Sequence, residues 1–123
     1  MKGDVSQLLF RHAKTQRACR VFLEWLKNHS EEASPREVSQ FTRDLQDGKI
    51  VNGFKYQRKS FYSTVLRRLK DFGFIAKQHR FGTGVVYVPV DQPIPKRAPL
   101  LTTWWGFAYL VADTWNRFFE EAA

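Results

Sequence analysis

Cysteine occurs only once in this chain, at Cys19. A single thiol excludes an intrachain disulfide framework and any zinc site built on cysteines. Cys19 falls beside apolar positions of a predicted helix, where the expected role is a small buried filler rather than a reactive thiol. The three histidines, His12, His29 and His79, are far apart, and none has a metal-ligand spacing. Glycine-rich phosphate loops, nucleophile elbows and paired carboxylates are also missing. Asp44 and Asp47 stand beside a turn glycine, where aspartate is common. The sequence therefore reads as non-enzymatic, with no cofactor, no metal site and no catalytic residues. Long hydrophobic runs are lacking too. The longest uncharged run, residues 98–112, has 15 residues and contains two Thr and a Gly. A bilayer span needs about 20 apolar residues, so no membrane span is expected. The start Met-Lys-Gly-Asp has no charged region followed by an apolar stretch, so no secretory signal is expected. The expectation is a soluble cytoplasmic protein, nucleoid-associated, or nuclear if eukaryotic.

Acid is scarce in one place. Between Lys49 and Arg80, Asp71 stands alone against Lys49, Lys55, Arg58, Lys59, Arg67, Arg68, Lys70, Lys77 and Arg80. The net charge of +8 lies in that stretch, because the rest of the chain balances. A positive field this confined attracts a polyanion, and nucleic acid is the first partner to consider.

Apolar residues are present in quantity: 43% are hydrophobic and 15% aromatic, with eleven Phe and four Trp. At 123 residues this implies one domain with an appended element. Residues 4–29 are expected to be helical, with Leu8, Leu9, Ala18, Val21, Phe22, Trp25 and Leu26 at apolar positions. Arg11, Lys14 and Arg17 recur on another face, which is expected to be solvated or to brush a phosphate backbone. Ser34-Pro35-Arg36-Glu37 is a capping box with proline in the first turn. It opens a second helix running to about Leu45, stopped by Asp47-Gly48. Residues 46–56 have no assigned conformation.

A third helix is expected over residues 57–72. At 100° per residue, Tyr62, Val65, Leu66, Leu69 and Phe72 form its buried arc, and Gly73 stops it. Ser60, Ser63, Thr64, Arg67 and Asp71 lie opposite, flanked by Arg68 and Lys70. Two runs, 74–81 and 85–90, surround Gly82-Thr83-Gly84 and read as a β-hairpin. Pro89, Pro93 and Pro95 close the sheet and form a connector.

This order, with the run Phe61-Tyr62-Ser63-Thr64-Val65-Leu66-Arg67-Arg68-Leu69-Lys70-Asp71-Phe72-Gly73-Phe74-Ile75 and the hairpin Lys77 to Pro89, resembles the winged-helix superfamily of DNA-binding regulators. The likeness covers residues 14–90. It implies an α+β, mainly α fold: a winged helix-turn-helix of three helices plus a β-hairpin wing, with an additional C-terminal amphipathic helix. The expected division is a winged-helix domain over 1–95 and a C-terminal helix over 96–123. The implied function is sequence-specific binding of double-stranded DNA as a small transcription regulator. The third helix would enter the major groove, and the wing would lie on the adjacent minor groove or backbone.

On that reading Arg67 is the leading contact to a guanine edge, with Ser60 and Arg68 presented beside it. Ser63 and Thr64 would bond phosphates or allow close approach, and Lys55, Arg58, Lys59 and Lys70 would face the backbone. In the wing, Lys77, His79 and Arg80 flank the tip, with Arg80 leading. A rival reading is an interaction module, a winged-helix subunit of a replication or transcription assembly.

The final helix, about residues 100–121, places Leu101, Trp104, Ala108, Val111, Trp115, Phe118 and Ala122 on one heptad seam. Trp105 and Phe107 widen it. The expectation is a homodimer through this helix, against the alternatives of folding back on its own chain or lying on a membrane surface.

Overall fold

The computed structural model describes residues 5–82, 84–94 and 103–120, with backbone alone over residues 103–106. The chain is α+β and mainly helical, with one two-stranded antiparallel hairpin. Helix α1 spans Val5–Leu9 and α2 spans Ala13–Asn28. The single helix expected over residues 4–29 is therefore broken. Phe10 turns into the core at the break, and the Gln16 side-chain amide donates to the Phe10 and Arg11 carbonyls at 2.8 and 3.3 Å. A side chain thus supplies donors where the helical ladder stops. Cys19 is buried, as a filler would be.

Helix α3, Pro35–Gln46, begins with the expected capping box. The Glu37 N–H donates to Ser34 Oγ at 3.1 Å, and the Ser34 N–H donates to Glu37 Oε1 at 2.8 Å. That backbone bond is the main reason the Glu37 carboxyl titrates below its ordinary value of 4.5; burial opposes it, and His29 adds to it. His29 Nε2 lies 3.2 Å from Glu37 Oε2, and its ring stacks on Trp25. The link fastens the end of α2 to the start of α3. Helix α3 ends in a Schellman turn, with Lys49 N–H donating to Asp44 and Gly48 N–H to Leu45, at a Gly48 φ of +77°. The connection beyond it folds onto itself through a Val51 and Phe54 bridge. Tyr56 N–H then donates back to the Leu45 carbonyl at 3.3 Å.

Helix α4 occupies residues 58–71, but it is not uniform. It is α-helical over Arg58–Ser60, a π-helix over Phe61–Leu66, and α-helical again over Arg67–Asp71. A π-turn bonds i to i+5 and lets the register slip by roughly one residue. Val65, Leu66 and Leu69 of the expected arc are buried, but Phe61 joins them in place of Tyr62 and Phe72. Tyr62 is only half-buried, and Phe72 is 60% exposed. Phe61 instead joins Phe22 of α2 and Phe41 of α3, with ring centroids 5.1 to 5.7 Å apart. This three-ring junction fixes the mutual tilt of the three helices, each pair adding about 0.5–1.5 kcal/mol beyond its buried area.

Strands β1, Ile75–Arg80, and β2, Gly84–Pro89, pair from Ile75 with Pro89 to Arg80 with Gly84. On the far side of β2, Ala33 N–H donates to the Tyr87 carbonyl at 3.1 Å, and Tyr87 N–H returns a bond at 2.7 Å. That single bridge ties the segment between α2 and α3 to the hairpin. The tip residue Thr83 and the connector at Pro95 lie outside the described residues.

Helix α5 spans Thr103–Glu120. Trp115 is 1% exposed; its ring lies 4.9 Å from Phe74, and Nε1–H donates to the Val90 carbonyl at 2.9 Å. Val111 and Ala112 are buried as well, whereas Ala108 and Phe118 are half-buried. Within the described part, Val111 and Trp115 of the expected seam pack against their own chain. Leu101 and Ala122, the side chains of Trp104 and Trp105, and the boundary at residues 95 and 96 lie outside the described residues. Among the described residues, no helix is long and apolar enough to cross a membrane.

Candidate nucleic-acid interface

The cations of residues 49–80 divide by residue type. Each of the four arginines has a partner inside the chain. Arg58, half-buried, donates from Nε to Thr42 Oγ1 at 3.1 Å and from Nη2 to Ser39 Oγ at 3.0 Å, and packs over Tyr62. Arg68 donates from Nη1 to the Leu9 carbonyl at 3.0 Å, with its guanidinium over Phe10 and Phe72. Arg80 donates twice to Glu32 Oε1, at 3.1 and 3.3 Å, and to Gln78 Oε1 at 2.8 Å. Arg67 is the loosest: 73% exposed, with Nε 3.5 Å from Asp71 Oδ2.

All five lysines, Lys49, Lys55, Lys59, Lys70 and Lys77, are exposed and make no ion pair among the described residues. Lys70 of α4 and Lys77 of β1 both approach the Tyr87 ring, with Nζ 5.9 and 5.7 Å from its centroid. Lys77 sits directly across the ladder from Tyr87. The third helix and the hairpin therefore meet around one aromatic edge.

Beside that edge, Arg67 separates two shallow depressions. One is lined by Tyr62, Leu66, Lys70, Asp71 and Tyr87, the other by Ser63, Thr64, Arg68, Asp71 and Phe72. Ser63 and Thr64 are exposed there, and Ser60 is half-buried. His79 is exposed on β1 opposite Val85.

Of the residues expected to contact DNA, Ser63, Thr64, Arg67, Lys70 and Lys77 thus surround one surface. Arg58, Arg68 and Arg80 are expected as contacts too; Arg58 and Arg68 donate to part-buried acceptors within the fold, and Arg80 makes exposed bonds to the Glu32 and Gln78 side chains. Lys55 belongs elsewhere. It borders a separate groove with Lys14 and Arg17 of α2. Sequence reasoning missed Tyr87 but did mark Lys14 and Arg17, as part of a face expected to be solvated or to brush a phosphate backbone. Tyr87 reads as an ordinary strand aromatic, although its place opposite Lys77 follows from the hairpin register. Lys14 and Arg17 show only as one face of a helix, with no local signal linking them to Lys55.

Among the described residues no group of three His, Cys, Asp or Glu side chains is arranged to hold a metal ion. No family model, curated protein or solved structure matches the chain.

Proposed function

We propose that the chain is a winged-helix domain that binds duplex DNA as a small transcription regulator, with α4 in the major groove and the β1–β2 hairpin as the wing. The order of helix, single β-bridge, helix, helix and hairpin supports the fold. The observation that carries the function is the convergence of Arg67 and Lys70 from α4 with Lys77 from β1 around Tyr87.

The chemistry separates affinity from specificity. Exposed ammonium groups are hydrated point charges that neutralise phosphates and read no sequence. Base reading needs a guanidinium free to face a groove, and Arg67 is the candidate. Its exposed pair with Asp71 is worth about 0.3–0.5 kcal/mol, against about 1–3 kcal/mol for a bidentate guanine contact. Exchange of partner is therefore favourable for Arg67. For Arg58 and Arg68 the same exchange would leave part-buried acceptors unpaired, whereas the exposed Arg80 contacts are released as readily as that of Arg67. The C-terminal seam adds little to a homodimer, because Val111 and Trp115 are buried within the chain.

Selection from a random duplex pool at stated salt tests the reading. Enrichment of a site that Arg67→Ala blurs at one position is expected; no affinity for any duplex at low salt overturns it. A second reading, an interaction module in a replication or transcription assembly, is favoured by Phe72 and Phe107. Both are exposed and line an apolar groove of about 610 Å³. Weak, sequence-blind DNA affinity with tight capture of one protein partner would select it.

A further inference from the structure

We infer that Lys14, Arg17 and Lys55 form a second phosphate-binding groove, so that the DNA held by α4 is gripped again where its backbone passes α2. This rests on the duplex-binding reading and extends it to a part of the surface outside the third helix and the wing. Ala13, Lys14 and Arg17 of α2 face Gly53, Phe54 and Lys55 across an open groove of about 490 Å³. Three of those six residues are cationic and none is acidic.

The groove is built rather than accidental. Phe54 is 7% exposed and forms a rigid floor, with the Arg17 guanidinium 4.6 Å from its ring centroid. Stacking holds the planar fork in place while its N–H donors stay available, which is the arrangement that suits bidentate phosphate contact. Arg17 makes no ion pair among the described residues, in contrast to Arg67 and Arg80. Gly53, at φ +83°, has nothing within 4 Å of the place a Cβ would take, so the rim is low and a phosphate can approach.

The groove adjoins the first surface along the chain. Lys55 lies just ahead of α4, and Lys59 stands in its first turn. On the proposed reading, phosphates beyond the N-terminal end of α4 would meet this groove.

The test is the salt dependence of duplex binding, read by fluorescence anisotropy on the full chain. Lys14 is exposed and alanine suits a helix, so Lys14→Ala leaves the fold intact. The slope of log K against log salt should become shallower by about 0.9, the value for one lost phosphate contact. Arg117→Ala, an equal loss of charge on α5, should leave the slope unchanged. If the unaltered chain binds no duplex, the proposed function fails and this inference with it. If it binds, and Lys70→Ala flattens the slope while Lys14→Ala does not, only the second groove is overturned. Equal effects of Lys14→Ala and Arg117→Ala would overturn it too, since a diffuse field would then explain both.

Discussion

Arg58 and Thr42 are joined across the α3–α4 junction: Nε donates to Oγ1 at 3.1 Å, and Thr42 has no exposed surface. The same guanidinium reaches Ser39. Arg58→Ala should cost about 1–3 kcal/mol, the range for deleting a charged partner of a buried polar group. Arg58→Lys should recover little, because an ammonium cannot span both hydroxyls. Urea unfolding measures both variants. Stability unchanged in each would mean the fork is idle in the fold and open to DNA after all.

The Arg67 and Asp71 pair makes a prediction of opposite sign. Asp71→Asn removes the one acid of residues 49–80 from between two depressions of the candidate interface. Duplex affinity should rise several-fold at low salt, and the gain should shrink as salt screens it. Anisotropy titrations across a salt series would detect this. A loss of affinity would mean that Asp71 orients Arg67 for binding instead of competing for it.

Trp115 separates a folded-back helix from an interface. Trp115→Ala should destabilise the monomer by about 3–5 kcal/mol. Trp115→Phe should cost about 1 kcal/mol for the lost Nε1–H bond to Val90. Neither loss should depend on protein concentration in denaturant unfolding. A midpoint that rises with concentration would return this residue to a dimer seam.

Gly73 closes α4 at φ +81°, with nothing near the position of an added Cβ. The cost of Gly73→Ala is therefore purely conformational, about 1–2 kcal/mol. Thermal unfolding should register it as a drop of about 4 °C per kcal/mol. Gly73→Asn should lose less, because asparagine tolerates the left-handed region.

Acid sensitivity should run through Glu37. Its carboxyl titrates lower when folded than when unfolded, so the folded state is favoured above the unfolded value. That contribution disappears as pH falls through the folded value. Urea midpoints measured from about pH 6 down to about pH 3 should fall less steeply in Glu37→Gln than in the parent chain. Parallel curves would show the capping box to be neutral in this range.

How far the sequence predicts the structure depends on how local each feature is. Ser34 and Glu37 are three residues apart, and their reciprocal bonds are readable because side-chain and backbone partners share one turn. Gly73 and the hairpin around Gly82 and Gly84 are legible for the same reason. The π-turn is not. Nothing in Phe61 to Leu66 marks it, and it appears because Phe61 completes a cluster with Phe22 and Phe41 from distant positions. The arginines are the clearest case. Arg58, Arg68 and Arg80 look like free cations in a basic run, yet their acceptors lie 16, 59 and 48 positions away. Charge patterning counts groups but does not see which ones the fold has already engaged.

The bridge between Ala33 and Tyr87 has one more effect. By occupying the inner side of β2, it leaves β1 as the sheet's open margin. Lys77, His79 and Arg80 stand along that strand, all exposed. Unpaired amides there invite a stray strand from a neighbouring molecule, and the exposed Lys77 ammonium on that edge opposes one. Lys77, which the proposed function places against DNA, therefore also shields the hairpin edge from self-assembly, and neutralising it should make strand-to-strand association easier.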